Sequence, residues 1–145
     1  MALERNASAT WTGDLRGGSG RFTMSSGTLK DTAYSFATRF ENSPGTNPEE
    51  LIAAAHAACY SMALAATLGG RGFEPQEVAT DATCTVEPQA SGGFRITRMQ
   101  LNTRATVPGL SNDQFQEIAK AAEAACPVSN ALRGGVAIDL QATLA

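Results

Sequence analysis

The chain has 145 residues, of which 43% are hydrophobic and 17% charged, and its formal net charge is −3. That length is typical of one domain, and the apolar fraction with the small net charge excludes an intrinsically disordered chain. The 11 Lys and Arg residues are scattered, so we expect no surface that binds nucleic acid. Three widely spaced cysteines and one histidine fit neither a secreted disulfide framework nor a zinc site, and favour a reducing cytosol.

The first 40 residues predict three β-strands. Residues 7–12 and 21–24 flank a loose turn that contains the glycine-rich segment 17–20. No Gly-Lys-Ser or Gly-Lys-Thr follows these glycines, so they do not form a phosphate-binding loop. Residues 34–40 alternate in character, which predicts a third strand with Phe40 on one face and Arg39 on the other.

The strongest helix signal begins at Asn47, which is a good N-cap. Pro48 suits the first helical position, and Glu50 completes a capping box. The helix should run to about Leu68 and end at the next two glycines, one of them left-handed. Its alanine content and internal polar residues predict a buried helix of a soluble protein rather than a membrane span.

This helix is apolar on nearly every face, which predicts burial on all sides. Its length would be roughly 30 Å. Since a chain of 145 residues can hardly surround such a helix, we expect a second subunit to cover part of it.

The C-terminal half predicts further strands and helices. Residues 78–86 and 93–107 form strands around a hairpin turn at 89–92, and the second strand has one wetter face. Ser111 begins a capping box for a helix that ends before Pro127, because a residue that precedes proline leaves the helical region. A short helix to Leu132 and a strand over 136–144 follow. In the helix that begins after Ser111, the residues expected to face inward are Phe115, Ile118, Ala119, Ala122 and Ala125. Together these elements indicate an α+β class, with antiparallel strands around one long buried helix, in a single domain of residues 1–145.

Each cysteine has a chemical and a structural interpretation. Cys59 lies in the middle of the long helix, where burial disfavours the thiolate, so a reactive Cys59 needs a cation; an arginine at 4 Å contributes about 4 kcal/mol. Cys126 precedes Pro127, where N–H groups of the short helix could favour its thiolate. Either could instead be an inert core thiol, and Cys84 in a strand is interpreted as structural. His56 could form a dyad with Cys59, although a backbone or solvent partner is the favoured reading.

Two segments carry a family resemblance. The sequence Thr46-Asn47-Pro48-Glu49-Glu50-Leu51-Ile52-Ala53-Ala54-Ala55-His56-Ala57-Ala58-Cys59 and the later Cys126-Pro127-Val128-Ser129 resemble the OsmC/Ohr family of thiol peroxidases, and the match is nearer the OsmC (osmotically inducible) branch. The resemblance covers essentially the whole chain and implies an OsmC-like fold, an intertwined homodimer and a cytoplasmic location, with a role in osmotic and oxidative stress.

The resemblance also implies the chemistry. Cys59 falls on the peroxidatic position and Cys126 on the resolving one, while Arg39 and Glu49 fall on the family's arginine and glutamate. Members reduce organic hydroperoxides, often better than hydrogen peroxide, and take electrons from dithiols; the Ohr branch uses lipoylated proteins. No metal, haem or other cofactor takes part. Cys84 receives no role.

Helix geometry adds a constraint on this assignment. Glu49 and Cys59 are ten residues apart, about 15 Å along a straight helix. Unless Arg39 and a bend of the chain bridge that gap, Arg39 or Glu49 must come from a partner subunit, so we expect a composite site at the dimer interface.

An apolar pocket would favour alkyl hydroperoxides over hydrogen peroxide. Its predicted walls are Phe40, Ile52, Tyr60 and Met62, each of which could equally be a core residue. The alternatives to a peroxidase are a redox sensor that uses the same cysteine pair and a domain that binds an apolar ligand without turnover.

Overall fold

The structure is a computed structural model that describes all 145 residues. Its contacts divide the chain into two compact units, residues 1–51 and residues 52–145. The expectation that residues 1–145 fold as a single domain stays a prediction.

The first unit contains a small antiparallel sheet. Its strands are β1 (Ala7–Thr12), β2 (Ser19–Met24) and β3 (Thr32–Tyr34), in the order β1-β2-β3. A short helix, α1 (Phe36–Phe40), follows the third strand. The two strands predicted at the start of the chain are therefore confirmed.

The predicted strand over residues 34–40 is wrong beyond Tyr34, because Ser35 caps a helix there. The backbone N–H of Thr38 donates to Ser35 Oγ at 3.2 Å, and that of Ser35 donates to Thr38 Oγ1 at 2.9 Å. Phe36 and Phe40 are one helical turn apart, and their ring centroids lie 5.1 Å from each other. The aromatic residues whose spacing suggested a strand are four positions apart, so they also lie on the same face of a helix.

The long helix α2 runs from Pro48 to Gly70. The backbone N–H of Glu50 donates to Asn47 Oδ1 at 2.8 Å, which confirms the predicted cap. The helix ends two residues later than predicted, and its left-handed residue is Gly72, with φ +84°. The N–H groups of Gly72 and Phe73 donate to the carbonyls of Gly69 and Leu68 at 3.0 Å, which is a Schellman motif.

Helix α2 is not buried on every side in the single chain. Its side chains of Tyr60, Leu64 and Leu68 are fully buried in the core of the second unit. A stripe with a four-residue repeat is exposed, and its members are Ala54, Ala58, Met62 and Ala66. The helix is also long and apolar enough to cross a membrane, a test that core helices of soluble proteins pass as well.

The second unit contains the other sheet, in the order β4-β5-β6. Its strands are β4 (Glu77–Pro88), β5 (Phe94–Thr106) and β6 (Ala137–Leu144). The hairpin turn between β4 and β5 has the expected hydrogen bond, from the N–H of Gln89 to the carbonyl of Gly93 at 2.9 Å. Along β5, side chains alternate between buried and exposed, as its polarity pattern predicts.

Two helices connect β5 to β6: α3 (Asn112–Ala125) and α4 (Pro127–Leu132). The capping box of Ser111 and Gln114 is confirmed, and so is the burial of Phe115, Ile118, Ala119 and Ala122. Ala125 is exposed, contrary to expectation, because α3 ends there. The α+β class is confirmed.

The sheet of the second unit is not wholly antiparallel. β6 pairs parallel with β5, from Arg98 opposite Ala137 to Ala105 opposite Leu144. A parallel neighbour requires a crossover connection, and α3 with α4 provides it. This crossover contains Cys126, which lies at the junction of the two helices and is buried in the core of the second unit.

Two glycines at the C-terminal end of α2 provide a test of the backbone conformation there. Gly69 is helical and Gly72 is left-handed, and a Cβ at either would meet no atom within 4 Å. Gly69→Ala should therefore stabilise the protein by about 0.5–1 kcal/mol, since alanine favours the helix. Gly72→Ala should destabilise it by about 1–2 kcal/mol, since a Cβ disfavours positive φ. Urea unfolding followed by circular dichroism at one protein concentration measures both, and shifts of the same sign would contradict this helix end.

Candidate active site

The centre of the candidate site is a pair of reduced cysteines. Cys59 in α2 and Cys126 between α3 and α4 place their Sγ atoms 3.5 Å apart. Cys126 is fully buried and Cys59 is partly accessible. Because an S–S bond is about 2 Å long, a shift of roughly 1.5 Å would let the two sulfurs form a disulfide.

The surroundings of Cys59 act on its thiolate in opposite directions. Burial raises the pKa of the Cys59 thiol above its ordinary value, and the neighbouring Cys126 raises it further. A hydrogen bond from the backbone N–H of Val128 lowers it, less than burial raises it. The start of α4 therefore stabilises the thiolate of Cys59. The sequence had instead suggested that these N–H groups stabilise Cys126 and that no helix terminus lies near Cys59.

The predicted arginine and glutamate form an ion pair in the first unit. Arg39 Nη2 donates to Glu49 Oε1 at 2.8 Å, and Arg39 Nε lies 3.1 and 3.2 Å from the two carboxylate oxygens. The Glu49 side chain is buried, and that of Arg39 is 37% exposed. The amide of Asn47 also donates to the carbonyl of Thr38, which ties α1 to the start of α2. The guanidinium is thus fixed by two oxygens and retains an accessible edge.

A cavity of about 430 Å³ lies beside Arg39 in the first unit. Its wall is mostly aromatic, and its side chains include Trp11, Leu15, Tyr34, Phe36, Arg39 and Phe40. The Arg39 guanidinium carbon also lies 4.9 Å from the centre of the Phe40 ring. This cavity can hold an apolar group next to a cation.

The four predicted pocket residues occupy different environments. Phe40 lines the cavity beside Arg39, and Ile52 is partly buried in α2. Tyr60 is a core residue whose hydroxyl donates to the carbonyl of Ala119 at 3.1 Å. Met62 is 74% exposed in the single chain. Of these four residues, Phe40 is the one that lines the cavity beside Arg39.

One buried polar pair was missed by the sequence reasoning. His56 Nε2 and Ser129 Oγ lie 2.8 Å apart, and both residues are fully buried. Burial lowers the pKa of His56, and the carboxylate of Glu123 opposes this shift. The available signal was the spacing, because His56 precedes Cys59 by three residues and Ser129 follows Cys126 by three.

Other potential sites are less developed. Cys84 lies in β4 opposite Met99 and is partly buried. No group of three or more His, Cys, Asp or Glu residues is arranged to hold a metal ion. The thiol pair and the Arg39–Glu49 pair are thus the chemically distinctive clusters of the second and first units.

Comparisons with known proteins identify relatives along the whole chain. A family model described as OsmC-like protein matches residues 40–141. Peroxiredoxin OsmC of Escherichia coli is 43% identical over 97% of this chain and 98% of its own length. An organic hydroperoxide resistance protein of Xanthomonas axonopodis pv. citri is 39% identical over 70% of this chain and 68% of its own length.

A solved structure agrees with these relatives. The crystal structure of an organic hydroperoxide resistance protein OsmC from Legionella pneumophila superposes with a TM-score of 0.74, at 26% identity, over 99% of both chains. Its match extends over both units of this chain, as the family model does from residue 40. On sequence and fold together, this chain belongs to the OsmC family.

Proposed function

We propose that this protein is a cysteine-based peroxidase that reduces organic hydroperoxides to alcohols. The observation that carries the proposal is the pair of reduced sulfurs 3.5 Å apart, one partly accessible and one buried. The names of relatives in both branches, peroxiredoxin and organic hydroperoxide resistance protein, support peroxide detoxification. A domain that only binds an apolar ligand would not need such a pair, whereas a redox sensor could use it, so repeated turnover is what separates the sensor from the peroxidase.

The reaction has three balanced steps. The Cys59 thiolate attacks the terminal oxygen of the hydroperoxide, the O–O bond breaks, and the alkoxide takes a proton and leaves as alcohol. Cys126 then attacks the sulfur of the Cys59 sulfenic acid, and hydroxide leaves as water with the proton of the second thiol. A dithiol, for which a lipoylated protein is one source, returns two electrons and restores both cysteines.

Arg39 supplies the cation that this chemistry requires. Burial raises the pKa of Cys59, and the Val128 N–H offsets only part of that effect. A guanidinium beside the sulfur would stabilise the thiolate and the charge that develops on the leaving oxygen. Glu49 holds the guanidinium by bidentate hydrogen bonds, so its role is to orient Arg39.

The working form would be a homodimer with composite sites. The exposed stripe of Ala54, Ala58, Met62 and Ala66 leaves apolar surface on α2 that a second copy could cover. Small side chains allow two helices to approach closely, and an intertwined arrangement could bring Arg39 and Glu49 of one subunit to the thiols of its partner. Such a dimer would act in the cytoplasm and without a bound cofactor.

The substrate would carry an apolar group. The aromatic cavity beside Arg39 offers contacts for an alkyl or aryl chain, and hydrogen peroxide cannot use them. Phe40 is the predicted wall residue that this cavity contains; Ile52, Tyr60 and Met62 remain proposed contributors in the dimer.

Replacing each cysteine separates the steps. Cys59→Ser should abolish turnover of cumene hydroperoxide with a dithiol, because the attacking sulfur is absent. Cys126→Ser should stop after one oxidation and accumulate a Cys59 sulfenic acid that dimedone traps. Cys84→Ser is the matched control and should retain the activity of the unchanged protein. Stopped-flow peroxide consumption with mass mapping of the thiols measures all three.

Outcomes of that experiment distinguish the alternatives. Oxidation of the thiol pair without turnover would favour a redox sensor. Thiols that stay reduced under excess cumene hydroperoxide would favour an apolar-ligand-binding protein.

The pH dependence of the oxidation rate tests whether Arg39 stabilises the Cys59 thiolate. Arg39→Met should raise the pKa of Cys59, so the increase of the oxidation rate with pH should move to higher pH. At neutral pH the rate should fall about tenfold or more, since one pKa unit changes the thiolate fraction about tenfold. Arg21→Met, which removes another ion-paired arginine of the first unit, is the control and should leave the profile in place. An unchanged profile for Arg39→Met would contradict this role.

Mixed dimers test the composite site. Subunits with Cys59→Ser are expected to be inactive alone, and subunits with Arg39→Met to retain about a tenth or less of the activity at neutral pH. When they are refolded together, activity should return, since one site then combines Cys59 of one subunit with Arg39 of the other. Mixing Cys59→Ser with Cys126→Ser is the control and should restore nothing, because both thiols of a site lie on one chain. Without recovery in the first mixture, Arg39 acts within its own subunit.

A further inference from the structure

Two neighbouring side-chain contacts join α2 to the start of α4. His56 and Cys59 are three residues apart on α2, so they lie on one face, and Cys126 and Ser129 have the same spacing at the start of α4. His56 meets Ser129 at 2.8 Å, and Cys59 meets Cys126 at 3.5 Å. The buried hydrogen bond is therefore a side-chain contact between the two segments that lies one helical turn from each of the sulfurs that must react.

The segment that carries Cys126 is itself held firmly. Arg133 Nη2 donates to Glu123 Oε1 at 2.7 Å, and the amide of Asn130 donates to the carbonyl of Ala124 at 3.1 Å. The backbone N–H of Asn130 also donates to the carbonyl of Cys126 at 3.0 Å. The first two bonds fix α4 to the end of α3 and the third belongs to α4 itself, so the spacing from this corner to α2 depends on other contacts.

On the side of α2, the residues available for that task are small. Eight of the 23 residues of α2 are alanine, among them Ala55 and Ala63 within about one turn of Cys59, and alanine side chains cannot interlock as larger ones do. Apolar contacts also allow sliding, whereas a hydrogen bond has a narrow range of length and angle. The Tyr60 hydroxyl ties α2 to α3, and the His56–Ser129 pair is the side-chain hydrogen bond that ties α2 to α4 and can fix their spacing.

We infer that His56 and Ser129 are a positioning pair for the resolving step, which holds Cys126 within reach of the Cys59 sulfenic acid. The inference rests on the proposed function for the resolving reaction itself. Neither side chain exchanges atoms with the substrate. Their hydrogen bond fixes α4 against α2, so that the Cys126 sulfur attacks the Cys59 sulfur, an S–S bond forms, and the sulfenic oxygen leaves as water.

The electrostatics agree with a role in positioning. Burial lowers the pKa of His56 despite the opposing carboxylate of Glu123 from α3, so the ring is neutral at neutral pH. Its Nδ1 has no hydrogen-bond partner in the chain, and Ser129 is the partner of Nε2. A neutral ring adds no charge to the thiol pair, and the bond to Ser129 is its one polar link.

Removal of one partner and of both partners should have different consequences. His56→Leu or Ser129→Ala leaves a buried polar group unpaired and should lower stability, whereas the double variant removes both groups and should recover much of it. Condensation of the sulfenic acid should be slower by about tenfold or more in all three, since a displacement of about 1 Å can cost up to a hundredfold. His56→Gln keeps a side-chain amide that can bond Ser129 and should retain most of the rate.

The experiment uses the full-length protein and rapid mixing with cumene hydroperoxide. Samples quenched with dimedone report the formation of the Cys59 sulfenic acid and its conversion to the disulfide by mass. Formation should be unchanged in the double variant while conversion is slow. Thr103→Val removes a different buried hydrogen-bonded hydroxyl, bonded to Thr80 at 3.0 Å, and is the control that should change stability but not conversion.

A second measurement does not depend on peroxide. Equilibration with reduced and oxidised glutathione gives the effective concentration of the two thiols for each other, which should fall about tenfold or more in the double variant. A double variant with the conversion rate and effective concentration of the unchanged protein would overturn the inference. If the unchanged protein forms no sulfenic acid, the proposed function fails, and the glutathione equilibrium still decides whether the pair positions the cysteines.

Discussion

The chemistry of this protein depends on the conflict between burial of a sulfur and its need for charge. The thiolate is the nucleophile, and burial favours the neutral thiol of Cys59. In the proposed reaction, burial would also keep Cys126 close and limit side reactions of the oxidised sulfur. The chain must therefore supply compensation from groups that are themselves fixed. Val128 provides it within the second unit through its N–H, and the proposed composite site adds the guanidinium of Arg39.

The interruption between α3 and α4 is what makes the thiol pair possible. Proline at position 127 ends α3 and starts α4, and Cys126 belongs to neither helix as a regular member. Its backbone has φ −67° and ψ 118°, which turns the chain. The turn brings three groups from four consecutive residues to α2. The Cys126 sulfur and the Val128 N–H contact Cys59, and the Ser129 hydroxyl contacts His56. A continuous helix could not direct all three toward one neighbour.

The exposed stripe of α2 has smaller side chains than the buried face. Tyr60, Leu64 and Leu68 fill the core, whereas Ala54, Ala58 and Ala66 leave a shallow apolar surface. Burying such a surface against another copy would remove apolar area from water without requiring bulky side chains to fit. The helix would then satisfy its uniformly apolar composition through assembly rather than through the single chain.

The sequence by itself determined the features that depend on neighbouring residues. Asn47 and Ser111 act as caps and Pro127 ends a helix, because these signals extend over a few residues, and the family motifs predict Cys59 and Cys126 as the reacting thiols. Tertiary structure decided the rest. Helix α1 is tied to the start of α2 by the bond of Asn47 to the Thr38 carbonyl and by the Arg39–Glu49 pair, and β6 becomes parallel only through the crossover of α3 and α4. His56 and Ser129 are 73 residues apart, and their equal spacing from Cys59 and Cys126 pairs them only once those cysteines meet. The folded chain brings the imidazole to the hydroxyl and turns the Val128 N–H toward Cys59.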